Sequence, residues 1–431
     1  MTSEACGAGA VARITRRAAD RVRAGHLWVY RSDVERFAPA PYGADVPPEV
    51  PATLLPGALV TVVDGRGIPL GTALYSSASE IALRMVSTAP GLERASYLED
   101  VCERLKAALA FRERLAMEML RGSEEDNACR LVFSEADGLP GIVADRYNGL
   151  VVVQLLTQGT AREDVRAVVA RALGEQPWVE AVVERLDARM RELERTETPA
   201  AGPLFSRGVF EERALKTIFA INGIRFHFDA SAGQKTGAFL DQRLNYAAAA
   251  RVARGRALDV CTYQGGFALH LARHCERVTG VDASRAALEV ADRNLELNAE
   301  LGRTGAQVDW VEADAFELLH EWDMAGQRFD TIVLDPPAFA KSKRATEGAM
   351  RGYKELNLRA LKMLRQGGTL VTCSCSHHVS MEEFMGVVRA ASADAGRRVQ
   401  VLEMRGAAPD HPAILTLPET SYLKCLICRV A

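Results

Sequence analysis

Residues 257–272 read ALDVCTYQGGFALHLA, and the reading of this stretch decides the fold. Its start is a short apolar run of the kind that forms a buried parallel strand. Its end repeats apolar residues at helical spacing. Between the two, Gly265 and Gly266 let the backbone come close to a ligand. Outward from here, from about residue 245, strand, turn and helix alternate. RVTGVDA, QVDWVEAD, TIVLDPP and TLVTC read as further strands, with helical stretches such as ALEVADRNLELNAEL between them. That alternation predicts a doubly wound α/β domain.

A carboxylate stands at or near the end of four successive strands: Asp259, Asp282, Asp314 and Asp335. Any one of them fits a turn cap, but four in register point to a ligand edge. Asp282 follows Asp259 by 23 residues. Nucleotide-binding α/β folds place there an acid that accepts hydrogen bonds from ribose hydroxyls. A dinucleotide fold would show GxGxxG and leave the helix N-terminus free for a pyrophosphate. Here Tyr263 takes the first glycine's place and Asp259 lies just upstream. An acid suits a cationic ligand such as the sulfonium and ammonium of S-adenosylmethionine, so a methyltransferase-like domain is expected. In DTIVLDPPAFAKSK, residues 330–343, Pro336 and Pro337 fix an extended turn. It would offer Asp335 and backbone carbonyls to the amino edge of a base, with Lys341 and Lys343 beyond for phosphates.

The last strand of this series opens GGTLVTCSCSHHVSMEEF, residues 367–384. Ser380, followed by Met381, Glu382 and Glu383, has the form of a helix N-cap with acids in the first turn. Cys373 and Cys375 therefore sit between a strand end and a helix start. A lone cysteine there is usually apolar filler, so its neighbours must decide its role. Cys425 and Cys428 form a CxxC inside the apolar YLKCLICRVA, with no second CxxC, and read as a buried strand rather than a metal site.

At 431 residues the chain has room for two or three domains. Its net charge of −3 shows no global attraction to a polyanion, so any nucleic-acid binding must come from a local patch. Nine cysteines at irregular positions, and a start, MTSEACGAGA, without a charged leader, point to reduced thiols in the cytoplasm. No apolar run is long enough to span a membrane. The local patch is RITRRAADRVRAGHLWVYRSDVERF, residues 13–37, with seven arginines against three acids. Arg16, Arg17, Arg21, Arg23, His26 and Trp28 suit a phosphate backbone and exposed bases. The same stretch also fits a basic amphipathic surface with Trp28 in the core. Proline-rich residues 38–56 read as a loop, and three strands follow, ending a small β-rich module at residue 89. Residues 90–203 read as a central α+β unit with a helix from Tyr97 to about Leu120 and an exposed linker at its end. Residues 204–431 open with two strands, LKTIFAINGIRFHFDA, and continue into the α/β domain.

Several of these motifs together resemble a known family. They are AGHLWVYRSDVERF, FSEADGLPGIVADRY, GQKTGAFLDQR, LDPPAFAKSK, RGYKELNLRALKMLRQGG, the SCS at residues 374–376 and DHPAILTLPETSYLKCLICRV. The family is the class I S-adenosylmethionine-dependent methyltransferases of large-subunit ribosomal RNA that join a PUA-like domain to a Rossmann-like catalytic domain. Among them the 23S rRNA cytosine-C5 enzymes are the most similar, over nearly the whole chain. The resemblance implies that Thr236, Phe239 and Arg243 close over the cofactor, with Asp282 on its ribose and Asp314 near its adenine. Asp259, Tyr263 and Gly265 would complete that site. It implies Cys375 as a nucleophile toward carbon 6 of cytosine, Cys373 as its packed neighbour, and Asp335 on the N3 and amino edge. Some RNA cytosine-C5 methyltransferases carry a second cysteine directly after the proline of this turn. Pro337 and Ala338 stand there instead, which leaves the acceptor of the carbon 5 proton unassigned. Related enzymes methylate purine nitrogens such as guanine N7, where Cys375 would be idle, and a non-catalytic RNA-binding or assembly factor is the third reading. The expected partner is large-subunit rRNA, with no membrane; a homodimer is compatible with the sequence.

Overall fold

The computed structural model describes residues 10–39, 54–118, 125–185, 187–199, 202–231, 238–339 and 346–431. Residues 40–53 of the proline-rich stretch, Thr236, Lys341 and Lys343 lie outside them.

The N-terminal sheet holds β1 (Ala10–Ile14), β2 (Trp28–Tyr30), β3 (Val34–Pro39), β4 (Leu59–Val63), β5 (Pro69–Tyr75) and β6 (Ile81–Ser87), in the order β2-β6-β5-β4-β1-β3. Helix α1 (Arg16–Arg23) starts at Thr15, whose hydroxyl accepts from the Ala18 N–H. It buries Ala18 and Ala19 against the sheet and leaves Arg16 and Arg17 exposed. The basic stretch is thus three strands and a helix, each too short for hydrophobic periodicity to show.

Helix α2 (Arg94–Glu118) leads into a five-stranded sheet of order β11-β10-β9-β8-β7. Its strands are β7 (Ala128–Phe133), β8 (Ile142–Tyr147), β9 (Leu150–Leu155), β10 (Ala181–Glu184) and β11 (Phe205–Ser206), with α3 (Glu163–Gly174) and α4 (Ala188–Glu194) between them. β9 is buried at every position, as an apolar run covered on both faces should be. β11 pairs with β10, so this sheet runs past residue 203. A hairpin, β12 (Lys216–Ile221) and β13 (Ile224–Asp229), then lays Phe219, Phe226 and Phe228 into one apolar cluster with Tyr147, Val152, Leu240 and Leu269. That cluster joins the central sheet to the C-terminal unit.

The C-terminal sheet has seven strands: β14 (Arg256–Val260), β15 (Arg277–Asp282), β16 (Gln307–Glu312), β17 (Phe329–Leu334), β18 (Leu364–Ser374), β19 (Val399–Arg405) and β20 (Lys424–Val430). Their order is β16-β15-β14-β17-β18-β20-β19; the first five are parallel, and β20 runs antiparallel to both of its neighbours. The helices are α5 (Arg243–Val252), α6 (Gly266–Leu271), α7 (Arg285–Glu300), α8 (Ala315–Met324), α9 (Thr346–Met363) and α10 (Met381–Asp394). Strand alternation divides the core. Val333, Val371, Cys373 and Ile427 face α5 and α6, while Ile332, Leu334, Leu370, Leu426 and Cys428 face α8, α9 and α10. The doubly wound expectation holds. The CxxC lies in β20, buried on both faces. β19 was not read from the sequence, because this edge strand exposes Val401, Leu402 and Met404 and so lacks a buried strand's pattern. Strand order reverses between β14 and β17, which opens a crevice at their C-terminal ends. Among the described residues no helix is long and apolar enough to cross a membrane.

Candidate active site

Asp259, near the end of β14, is fully buried. Its Oδ2 accepts the Thr262 hydroxyl at 2.6 Å and the Ala268 N–H at 2.9 Å, and so ties the loop after β14 to helix α6. Burial pushes its carboxyl up to about 7. Above it the loop is bent: Cys261, Tyr263 and Gly265 have φ of 64°, 52° and 86°. Gly265 is the residue that accepts such a φ without strain. A Cβ on Gly266 would lie 2.6 Å from the Tyr246 hydroxyl, so this glycine seats α6 against α5. Asp282 knits this loop to the next, its Oδ2 accepting the Tyr263 N–H and its Oδ1 the Ser284 N–H, each at 2.9 Å. Asp314 caps α8 by accepting the Phe316 and Glu317 N–H groups at 2.9 and 3.1 Å.

These loops border one open cavity of about 1980 Å³, lined by Tyr263, Asp282, Asp314 and Asp335 together with Phe239 and Cys375. Asp259 and Gly265 do not line it; they hold up the loop that does. Arg243, expected to close over the cofactor, does not line this cavity. It is buried, donates to the Ala128 carbonyl at 2.7 Å and pairs with Asp126 at 3.4 Å, so it ties α5 to the central unit. One residue is about 100° of helix, so while Gln242 and Tyr246 line the cavity, Arg243 points away.

On the other side of the switch point, Asp335 accepts from Gln242 Nε2 at 3.0 Å. Asn245 donates to Gln242 Oε1 at 2.6 Å and thereby fixes which end of that amide meets Asp335. Burial, with the carboxylates of Asp241 and Asp259 nearby, pushes Asp335 up to about 8. Cys375 follows the end of β18, half-buried, with Sγ 3.9 Å from the Pro336 carbonyl. Cys373 is fully buried opposite Cys425 in β20, and burial pushes its thiol well up. The capping box of Ser380 and Glu383 starts α10, as the sequence predicted. Tyr422, His377 and Phe133 line the same cavity as Cys375. The Tyr422 and His377 rings are 5.2 Å apart, and the Tyr422 hydroxyl donates to Asp241 at 2.5 Å. Gln242, Tyr422 and Phe133 were not singled out as site residues, although the quoted motifs GQKTGAFLDQR, YLKC and FSEADGLPG contain them.

The basic stretch divides. Arg16 and Arg17 are exposed, whereas Arg21 pairs with Asp33 at 2.6 Å and Arg23 with Asp64. Trp28 is half-buried rather than core; its indole donates to Glu135 at 2.8 Å and it lines the same cavity. His26 Nε2 lies 3.8 Å from Glu419. The N-terminal unit therefore meets the cavity through Trp28 and presents Arg16 and Arg17 outward. Among the described residues no cluster is suited to a metal ion.

The donor set fits S-adenosylmethionine. Carboxylates at two strand ends suit ribose hydroxyls and cationic groups, and Ala283, Ala315 and Phe316 give the same wall an apolar surface for a base. Comparison with known proteins agrees. A PUA-like domain family matches residues 12–88, and an S-adenosylmethionine-dependent methyltransferase family matches residues 137–426. The Ribosomal RNA large subunit methyltransferase I of Escherichia coli (strain SMS-3-5 / SECEC) is 36% identical over 410 residues, covering 94% of this chain and 95% of that protein. The protein of the same name from Shewanella amazonensis (strain ATCC BAA-1098 / SB2B) is 37% identical over 409 residues, with the same coverage of 94% and 95%. Two solved structures share the fold at 17% identity, covering 97% of this chain and 99% of theirs. One is a putative methyltransferase complexed with SAH, at TM-score 0.76, and the other a putative SAM-dependent methyltransferase from Streptococcus mutans, at 0.75. The chain belongs to the S-adenosylmethionine-dependent methyltransferase family, with S-adenosylmethionine as its cofactor and a PUA-like domain at its N-terminal end.

Proposed function

We propose that this protein methylates carbon 5 of a cytosine in large-subunit (23S) ribosomal RNA through a covalent adduct on Cys375. One observation carries the reading: Cys375 and Asp335 stand at the ends of adjacent strands on one cavity wall, a thiol beside a carboxyl that burial pushes up to about 8. Carbon 5 of cytosine is a poor nucleophile. Addition of the Cys375 thiolate to carbon 6 makes it enamine-like, which splits one hard step into two easier ones. Gln242 occupies Asp335 Oδ1 as donor, which favours the proton on Oδ2. From there it can pass to N3 as the sulfur–carbon bond forms, while Oδ1 accepts from the exocyclic amino group. Bound S-adenosylmethionine supplies the electrophilic methyl group. Loss of the carbon 5 proton to solvent then expels the thiolate from carbon 6, and return of the N3 proton to Asp335 restores the ring.

Asp282 and Asp314 serve the ribose and adenine of the cofactor, with Phe239 and Tyr263 beside them. A target base must leave its stack to reach Asp335, and Tyr422, His377 and Phe133 offer it an aromatic wall. Arg16 and Arg17, with Lys341 and Lys343, bind phosphates. In this reading residues 1–89 hold RNA, 90–203 support the cavity and 204–431 perform the chemistry, in the cytoplasm. Incubation with unmodified large-subunit rRNA and labelled cofactor, followed by nucleoside analysis, should yield 5-methylcytidine. Label on a purine nitrogen would assign the guanine reading, and no label anywhere the assembly-factor reading.

A further inference from the structure

Lys424 opens β20 directly opposite Ser374, the last residue of β18. The residue is 5% exposed, and Nζ donates to the Ser376 carbonyl and the Tyr422 carbonyl, each at 2.6 Å. It thus pairs with the residue before Cys375 through the sheet and grips the residue after Cys375 through its ammonium. Among the described residues no carboxylate lies within ion-pair distance of it, although a buried charge normally requires one. A neutral donor would satisfy the two carbonyls at less desolvation cost, so the charge itself calls for an explanation.

We propose that Lys424 is a positioning residue whose ammonium holds the loop carrying Cys375 and stabilises that side chain as a thiolate. The inference rests on the reading of Cys375 as nucleophile. Burial pushes the Lys424 ammonium down to about 8, which leaves it mostly charged at neutral pH. The other titratable groups near this pair are Asp335 at the adjacent strand end, His377 two residues after Cys375, Glu383 of α10, Tyr353 of α9, whose hydroxyl lies 2.9 Å from Ser376 Oγ, and Tyr422, whose hydroxyl is committed to Asp241. Glu383 is held by the Ser380 cap at 2.7 and 2.8 Å and does not form an ion pair with the lysine. When the thiol ionises, its proton goes to bulk water and Lys424 keeps its own, so the new anion has a cation fixed on the carbonyl of the next residue.

The test is the rate of iodoacetamide labelling of Cys375 against pH, read by mass spectrometry on the full chain without RNA. In the wild-type protein the midpoint should fall below the value of about 8.5 for an ordinary thiol. The same cysteine in urea should return to that value. Lys424→Met should raise the midpoint by about one unit and slow labelling at pH 7 roughly tenfold, while Lys424→Arg should retain most of the rate. A lysine that only clamps the strands would lower the melting temperature in Lys424→Met and leave the midpoint where it was, and that result overturns the proposal. If Lys424→Met does not fold, the wild-type measurement decides alone, because a native midpoint at or above that of the urea-unfolded chain is equally fatal. The underlying reading fails separately: methylation that survives Cys375→Ala removes the nucleophile without touching the labelling profile.

Discussion

On the β14–β16 half of the catalytic edge, Asp282 and Asp314 each hold two backbone N–H groups. On the β17–β20 half, Asp335 holds one side-chain amide and is pushed up to about 8, while Lys424 is pushed down to about 8. Under the proposed function, the difference lets one sheet edge do two jobs. Carboxylates satisfied by backbone are preorganised acceptors that keep one geometry, which is what binding a cofactor needs. A carboxyl buried with a single amide partner is pushed up toward neutrality, which under the proposed mechanism suits moving a proton on a base. The barrier between the two halves is the fully buried Asp259, which touches neither ligand wall but fixes the loop at the switch point.

The sharpest way to break this comparison is at Cys375. Cys375→Ala should reduce methylation below detection while leaving S-adenosylmethionine affinity, measured by calorimetry, unchanged. RNA carrying 5-fluorocytosine should trap the wild-type chain as a stable adduct, because fluorine at carbon 5 does not leave as a proton does. An adduct that persists in Cys375→Ala and vanishes in Cys373→Ala would exchange the roles of the two cysteines. The next largest effect is expected from Asp335→Asn, which should lower kcat by about 10²–10⁴-fold, as loss of a general acid does. Wild-type activity should decline as pH rises through about 8, and the variant should lose that limb of the profile. Stability gives an independent sign. A carboxyl whose folded value is raised contributes stability that is present at low pH and lost as pH rises through about 8. Asp335→Asn should therefore melt higher than wild type above pH 8, and the gap should close toward pH 4. A gap that does not depend on pH would mean that Asp335 is ionised throughout.

How much of this was legible in the sequence follows the same division. The parallel strands were legible because β-branched runs, glycine turns and terminal acids are all local signals. Asp282 and Asp314 line the cavity because a strand-end position alone directs them there. Depth and helix phase are not local. Asp259 carries the same signal as Asp282, yet the packing of α5 and α6 puts it beneath the loop. Arg243 sits in a motif that borders the cavity, but a short 3₁₀ turn at Leu240–Gln242 sets the phase of α5, and the arginine swings to Asp126. Gln242, Tyr422 and Lys424 reach their partners across 93, 181 and 48 residues of chain, distances at which no spacing rule operates.

The cofactor half can be tested without disturbing the other. Asp282→Ala removes a charged hydrogen bond worth about 1.5–3 kcal/mol, so S-adenosylmethionine should bind roughly tenfold more weakly or worse. The Cys375 labelling profile should stay as in wild type. Unchanged affinity would take Asp282 out of the site and leave it as a loop staple between Tyr263 and Ser284.

The smallest expected effect lies farthest from the edge and separates the exposed arginines from the paired ones. Arg16 and Arg17 are exposed on α1, Arg16 only 3.9 Å from the equally exposed Asp20 in a pair that solvent screens, so each alanine replacement should lower the slope of log affinity for RNA against log salt by about 0.7–0.9. Arg21 is already neutralised by Asp33, so Arg21→Ala should leave that slope nearly unchanged. None of the three should alter cofactor affinity, because none lines the cavity. Trp28 is the internal control. Its indole is anchored to Glu135 at the cavity wall, so Trp28→Ala should weaken RNA binding without changing the salt slope, as the loss of a stacking surface does. If Arg21→Ala moves the slope as much as Arg16→Ala, the ion pair with Asp33 opens when RNA binds, and the basic stretch acts as one surface.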